Sequence, residues 1–124
     1  MNNVIDRIKG IVVVSVQAMP SEPLYAESCM TAMMKSVVNG GAGALRVAGV
    51  RDVKIAKKLF TLPVIGLTKP NVIPKNYKEI VYITPTVKDV IDLVQAGADI
   101  IATDATQRPR PNGEKLADLF KYIH

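Results

Sequence analysis

Four polar side chains stand at or near the carboxyl ends of apolar segments, and this pattern predicts a shared site. In chain order they are Gln17, Arg46, Lys69 and Asp104. The apolar segments are rich in β-branched residues, as strands buried on both faces are. Ligands of parallel α/β proteins bind where the strands end. We therefore expect the four side chains to lie at one edge of a sheet and to bind or transform a ligand there.

Each of the four could contribute different chemistry. Arg46 can hold a carboxylate, a phosphate or a carbonyl oxygen through two parallel hydrogen bonds. Lys69, in a cleft and near a second cation, could act as a base, an acid or a Schiff-base nucleophile. Asp104 could orient a lysine or accept a hydrogen bond from a sugar hydroxyl, and Gln17 offers both a donor and an acceptor. In a purely structural alternative, Arg46 pairs with Asp104 and Lys69 points to solvent.

The chain between these positions alternates between strand and helix patterns. Predicted strands cover Ile11–Val16, Ala44–Val47, Pro63–Leu67 and Asp99–Thr103, with a short extended segment at Val81–Thr84. Predicted helices cover Leu24–Asn39, Val50–Phe60, a segment from Thr86 to Gly97 and a segment that starts at Asn112. Four βα units of this kind predict a parallel sheet with right-handed crossovers.

Short polar and glycine signals set the predicted helix ends. The pair Gly40–Gly41 ends the first long helix, because glycine readily adopts the left-handed conformation of a C-terminal cap. Thr86, followed three residues later by Asp89, resembles a capping box at a helix N-terminus. Gly97 closes the same helix.

Composition narrows the class of protein. The chain has 124 residues, 48% of them hydrophobic and 22% charged, which suits one folded domain. Its one cysteine, Cys29, excludes an internal disulfide. The sequence has no signal-peptide pattern and no apolar run of about 20 residues. Together with the single cysteine, these features predict a reduced, cytoplasmic protein. No cysteine or histidine cluster offers a transition-metal site, and the one histidine, His124, is expected to be a surface bystander.

The basic charge predicts a solvated basic surface or, as the alternative, an anionic substrate. The net charge of +5 is compatible with an anionic ligand, nucleic acid or a membrane surface. Aromatic residues make up only 5% of the chain and the lysines are scattered, so platforms that stack nucleic-acid bases are nearly absent. A solvated basic surface or an anionic substrate therefore fits better than nucleic acid. The loop Arg108–Gly113 could attract an anion or form a solvated turn.

Short motifs along nearly the whole chain carry a family resemblance. They are Ser15–Ala18 with Glu22–Leu24, Gly40–Ala42 with Leu45–Arg46, Leu62–Gly66 with Lys69, Tyr82–Thr86, Thr103–Thr106 and Arg108–Gly113. In this order they resemble the bacterial N-acylglucosamine-6-phosphate 2-epimerases, also called N-acetylmannosamine-6-phosphate 2-epimerases. The resemblance implies a (β/α)8 TIM-type barrel. A closed barrel needs about 250 residues, so residues 1–124 would form a single domain, the N-terminal half.

The resemblance also implies an activity and roles for particular residues. The reaction is a cofactor-free interconversion of N-acetylmannosamine 6-phosphate and N-acetylglucosamine 6-phosphate in sialic acid catabolism. Lys69 would be the acid/base group that moves the C2 proton, and Gln17 and Arg46 would line the substrate site, with Asp104 as a further binding residue. The chain departs from the family at Pro70, where an arginine is usual. The family's second half, which carries further catalytic and phosphate-binding residues, has no counterpart here.

Three other functions stay open. A non-enzymatic half barrel could self-associate through its exposed edge strands into a homo-oligomer. In the epimerase hypothesis, by contrast, another polypeptide could complete the barrel. A different phosphosugar-binding barrel, such as a decarboxylase or a synthase, could also use a lysine after its third strand. A basic nucleic-acid-binding module is the last alternative, and the sparse aromatic residues disfavour it.

Overall fold

A computed structural model describes residues 3–123, and within that range strands and helices alternate along the chain. The strands are β1 (Val13–Val16), β2 (Ala44–Ala48), β3 (Val64–Leu67) and β4 (Ile100–Ile101). The α-helices are α1 (Val4–Ile8), α2 (Glu27–Asn39), α3 (Val50–Leu59), α4 (Val87–Ala96) and α5 (Leu116–Ile123). Short 3-10 helices cover Pro23–Tyr25 and Pro111–Gly113. His124, expected to be a surface residue, lies outside the described residues.

The four strands form one parallel sheet in the order β1-β2-β3-β4. The register places Ser15, Arg46, Ile65 and Ile100 in one row across the sheet. Each strand lies beside the strand that precedes it in the chain, so β1 and β4 are the two edges among the described residues. The predicted parallel sheet of four βα units is confirmed, and it is the arrangement of half a (β/α)8 barrel.

The hydrophobic core lies between the sheet and one layer of helices. Successive strand residues point to opposite faces, and Leu45, Val47 and Val64 point to the helix-covered face, where they are fully buried. Met30 and Met34 of α2 pack into the same core. The opposite face is more open: Val13, two residues before Ser15, remains 37% exposed. Arg46 lies on this helix-free face.

The predicted helix-end signals are confirmed. The Thr86 hydroxyl accepts a hydrogen bond from the Asp89 N–H at 3.1 Å, and the Asp89 carboxylate accepts one from the Thr86 N–H at 3.2 Å. This reciprocal pair satisfies two N–H groups that have no partner inside the helix. Gly97 ends α4 with φ 101° and Gly41 follows α2 with φ 106°, a region that side-chain-bearing residues rarely adopt.

The segment 81–84 differs from the prediction and forms no strand. Thr84 is fully buried and has φ 46°, a left-handed conformation that is rare for a β-branched residue. Its N–H donates to the Thr68 carbonyl at 3.0 Å, and its hydroxyl accepts from the Thr68 N–H at 3.0 Å. These contacts with the end of β3 hold the segment in a turn, so a tertiary interaction overrides the local preference for extended structure.

Helix and strand boundaries account for the other differences. The predicted fourth helix does not start at Asn112, whose φ of 61° is left-handed, and α5 begins at Leu116. The first long helix starts at Glu27, and the short helix α1 was absent from the prediction. Asn3 caps α1 by accepting from the Ile5 N–H at 3.0 Å. In residues 3–123 no helix has both the length and the apolar character needed to span a membrane.

Candidate functional site

A cleft of about 290 Å³ lies at the carboxyl ends of β1, β2 and β3. The polar side chains in its lining come from the loops that follow β1 and β3, and the end of β2 contributes backbone and a small side chain. The lining residues are Gln17, Ala18, Met19, Pro20, Glu22, Tyr25, Ala48, Gly49, Lys69, Pro70 and Asn71. This is the edge at which ligands bind in parallel α/β proteins, so the cleft is the candidate site.

Gln17 and Lys69, two of the four predicted site residues, meet in this cleft. The Gln17 Nε2 donates to the Ser15 hydroxyl at 2.8 Å, while its Oε1 is buried and has no hydrogen-bond partner among the described residues. A buried acceptor without a donor costs about 1–3 kcal/mol. Gln17 is therefore oriented by Ser15 and retains an unused acceptor at the end of β1.

The backbone that carries Lys69 is fixed on its N-terminal side. Thr68 exchanges two hydrogen bonds with Thr84, one from its N–H and one to its carbonyl, each 3.0 Å long. Lys69 itself is partly buried beside Pro70. Lys69 therefore starts from a fixed backbone, and its amine, carried on a flexible four-carbon stem, can reach a ligand in the cleft that it lines.

Arg46 lies deeper in the sheet than the cleft. In the register, Arg46 lies beside Ser15 and Ile65. Ile65 comes four residues before Lys69, and four residues of extended chain span about 13 Å. Arg46 does not line the cleft. Among residues 3–123 the ion pairs are Arg51–Asp52, Lys57–Asp99 and Lys88–Asp92. The alternative ion pair between Arg46 and Asp104 is therefore not formed.

Asp104 follows β4 at the same edge but outside the cleft. Its carboxylate accepts a hydrogen bond from the Thr106 N–H at 2.8 Å. Partial burial raises the pKa of Asp104, but the hydrogen bonds from Thr106 and the charges of Arg108 and Arg110 outweigh it, and the pKa lies below its usual value. Asp104 is thus kept as an anion by its own loop.

Arg110 is a structural residue, although its loop was considered as an anion site. Its side chain is 7% exposed. The guanidinium donates to the carbonyls of Thr84, Pro85 and Asp104 and to the Thr103 hydroxyl. These bonds join the turn after β3 to the loop after β4. Arg108, by contrast, is exposed and remains available to an anion.

Several lining residues were not predicted as site residues. Glu22 accepts from the Met19 N–H at 2.6 Å, and Tyr25 lies in the 3-10 helix of the same loop. Asn71 follows Lys69, and Gly49 caps α3 with φ 92°. The Glu22–Pro23 motif after β1 was a usable signal for this loop. Among the described residues, no group of three His, Cys, Asp or Glu side chains could hold a metal ion.

The fold is half of a parallel (β/α)8 barrel, with the cleft at the carboxyl ends of its strands. A family model described as "Putative N-acetylmannosamine-6-phosphate epimerase" matches residues 30–124. The chain belongs to this family. In a solved structure titled "Structural and biochemical characterization of the N-acetylmannosamine-6-phosphate 2-epimerase from Clostridium perfringens", one chain matches at TM-score 0.87 and 40% identity, covering 99% of this chain and 52% of that chain.

Curated relatives give the same result. A Clostridioides difficile protein named "Putative N-acetylmannosamine-6-phosphate 2-epimerase" is 45% identical over 120 residues, which cover 96% of this chain and 52% of the relative. A Listeria monocytogenes protein of the same name is 38% identical over 123 residues, covering 98% of this chain and 51% of the relative. The chain therefore spans about half the length of the relatives it matches, and corresponds to their N-terminal half.

Proposed function

We propose that this chain provides the first four βα units of an enzyme that interconverts N-acetylmannosamine 6-phosphate and N-acetylglucosamine 6-phosphate. The observation that carries the proposal is the position of Lys69, in a cleft at the carboxyl end of β3, in a chain of this family. The substrate would be a phosphorylated amino sugar. The enzyme would act in the cytoplasm, in sialic acid catabolism, and residues 1–124 would form a single domain.

The proposed reaction is a proton transfer at C2. In the open-chain sugar C2 lies next to the C1 aldehyde, so the C2–H bond can break with its electron pair moving onto the aldehyde oxygen. Lys69 would take the proton and return it at C2, and return to the opposite face inverts the centre. The enolate carries negative charge on oxygen, which a nearby cation stabilises. No electron is gained or lost and no cofactor takes part.

The other predicted residues would bind the substrate. Gln17 has an acceptor without a partner at the cleft wall, which suits a hydroxyl or an amide N–H of the sugar. Arg46 lies on the helix-free face below Lys69 and takes part in no ion pair among the described residues, so its guanidinium can neutralise an oxyanion. Asp104 would accept a hydrogen bond from a sugar hydroxyl at the neighbouring strand end.

Exchange of the C2 proton tests the proposal. The chain is incubated with N-acetylmannosamine 6-phosphate in deuterated water, alone and together with the C-terminal half of the C. difficile relative, and the C2 proton is followed by NMR. We expect the signal to disappear in at least one of the two mixtures. With folded protein, a signal that persists in both mixtures contradicts the proposal.

A matched pair of variants tests the assigned lysine. Lys69→Ala should abolish exchange, because no other lysine lines the cleft. Lys75→Ala removes an exposed lysine of the same loop that lies outside the cleft, and exchange should continue at the rate of the unmodified chain. Exchange that survives in Lys69→Ala would assign the proton transfer to another group.

A second candidate function is that of a half barrel which binds another half barrel without catalysis. Each edge strand is paired on one side only among the described residues, and Val13 is partly exposed on the helix-free face. Open strand edges favour pairing with another chain. In a dimer of two copies, the two Arg46 side chains would face a common interior in a chain of net charge +5. Charge therefore favours a different half barrel over a second copy.

Light scattering separates these outcomes. If self-association completes the sheet, the chain alone will have the mass of a dimer, and if a different half barrel is needed, the mass will double only after that half is added. A mass that stays monomeric in both samples contradicts pairing through the edges. The same samples, assayed for C2 exchange, show whether pairing is accompanied by catalysis.

A further inference from the structure

Arg51, in the first turn of α3, connects that helix to the loop after β1. Its guanidinium carbon lies 3.9 Å from the centre of the Tyr25 ring, and its Nη2 donates to the Tyr25 carbonyl at 2.6 Å. Its Nε contacts the Asp52 carboxylate at 2.9 Å. The Arg51 side chain is 31% exposed, so most of it is covered by these contacts and by the neighbouring loop.

Few other hydrogen bonds connect the loop to the rest of the protein. Glu22 and Met19 bond to each other twice, at 2.9 Å and 2.6 Å, and the Tyr25 N–H bonds to the Glu22 carbonyl at 3.0 Å. These bonds stay inside the loop. Among the hydrogen bonds described for residues 19–25, the one from Arg51 alone joins the loop to another element. The loop therefore has internal bonds of its own, and Arg51 supplies the described hydrogen bond that ties it to α3.

The Arg51 side chain is held by Asp52 as well as by Tyr25. Asp52 is 2% exposed, so its carboxylate is nearly excluded from water and gains more from its contact with Arg51 than an exposed carboxylate would. Stacking of a guanidinium on an aromatic face adds a second attraction, which is stronger when the pair is partly buried. Lysine lacks the planar fork that makes these contacts together.

We propose that Arg51 is a positioning residue that sets the width of the cleft by holding Tyr25 and its loop opposite Lys69. Both Tyr25 and Glu22 line the cleft, so a shift of the loop changes the wall that a ligand meets. The effect on a phosphorylated amino sugar rests on the proposed function, whereas the effect on the loop does not. Arg51 touches the wall and not the reacting atoms, so it should affect ligand affinity more than the proton transfer itself.

Hydrogen exchange on the ligand-free protein tests the loop. Arg51→Met keeps a long side chain but removes the positive charge and the planar guanidinium group. We expect amide hydrogen exchange at Glu22 and Tyr25 to accelerate by about tenfold or more. Arg51→Lys should restore part of the protection, because it retains the cation. Lys54→Met, an exposed lysine on the same helix, should leave exchange unchanged. Unchanged exchange in folded Arg51→Met overturns the proposal.

Two further measurements keep the test decisive. In the unmodified protein, the Arg51 Cδ protons, next to the guanidinium that lies over the Tyr25 ring, should resonate upfield of those of the other arginines. A normal shift overturns the stacking even if Arg51→Met fails to fold. Titration with N-acetylmannosamine 6-phosphate should show an affinity reduced about tenfold in Arg51→Met, with C2 exchange at saturation little changed. Failure of the unmodified protein to bind the sugar, both alone and together with the C-terminal half of the C. difficile relative, refutes the proposed function, while the hydrogen-exchange data still decide the role of Arg51.

Discussion

Replacing the buried Arg110 should destabilise the protein strongly, although the residue lies in a loop. Of the oxygens that its guanidinium contacts, the Thr84 carbonyl keeps a second donor, the Thr103 hydroxyl at 2.9 Å. The carbonyls of Pro85 and Asp104 have no other donor among the bonds described for residues 3–123. Arg110→Met fills a similar volume and leaves these two acceptors without a donor. A buried unsatisfied acceptor costs about 1–3 kcal/mol. Because both carbonyls are only partly buried, the lower end applies and the expected loss is about 2 kcal/mol.

Urea unfolding followed by circular dichroism measures this loss. With a denaturant slope of about 2 kcal/mol per molar, typical of a small protein, the midpoint should fall by about 1 M. Arg110→Lys should give an intermediate midpoint, because an ammonium group can reach only part of the same set of oxygens. Arg108→Met is the matched control, since Arg108 is exposed in the same loop, and its midpoint should not move.

The outcome that refutes this reasoning is specific. If the Arg110→Met midpoint lies within about 0.3 M of the unmodified protein while Arg108→Met behaves identically, the guanidinium contributes no net stability. Its hydrogen bonds would then only offset the cost of burying its charge. An equal fall in both variants would instead indicate a general effect of net charge.

Two further outcomes follow from the same structure. Gly43→Ala would place a Cβ 2.7 Å from the Ile11 side chain and should lower the free energy of unfolding by about 1–3 kcal/mol. In the control Gly40→Ala, the new Cβ meets atoms only at 3.4 Å and beyond, which is ordinary contact. Equal urea midpoints for the two variants would contradict this prediction. Asp104, whose pKa is lowered, contributes stability above its unfolded pKa of about 3.9 and loses it as the pH falls through the folded pKa. Asp104→Asn should therefore flatten the loss of stability below about pH 4, and an unchanged slope would refute it.

The sequence predicts the elements whose cause is local. The capping box of Thr86 and Asp89 and the glycine at 97 depend on bonds within one turn, and both are found where the pattern places them. The alternation of buried and open faces at Leu45 and Arg46 follows from the two-residue period of a strand. The parallel order of the sheet follows from the right-handed crossover.

What the sequence leaves open depends on contacts between distant segments. Thr84 adopts a left-handed conformation because the end of β3 holds it, and Arg110 is buried because three carbonyls surround it. Neither contact is visible in a local pattern. The site shows the same division: strand ends indicate Gln17 and Lys69, whereas the Arg51–Tyr25 contact joins residues that only the folded chain brings together.

The order of the strands in the sheet is also the order in which a ribosome makes them. Each strand pairs with the strand made just before it, so every pairing joins strands that are neighbours in the chain. The pairing of β2 with β3, Leu45 with Val64, closes the shortest stretch of chain, and that of β3 with β4, Ile65 with Ile100, closes the longest. Shorter loops cost less entropy to close. The unit β2-α3-β3 is therefore expected to fold first, as the nucleus onto which the flanking units add.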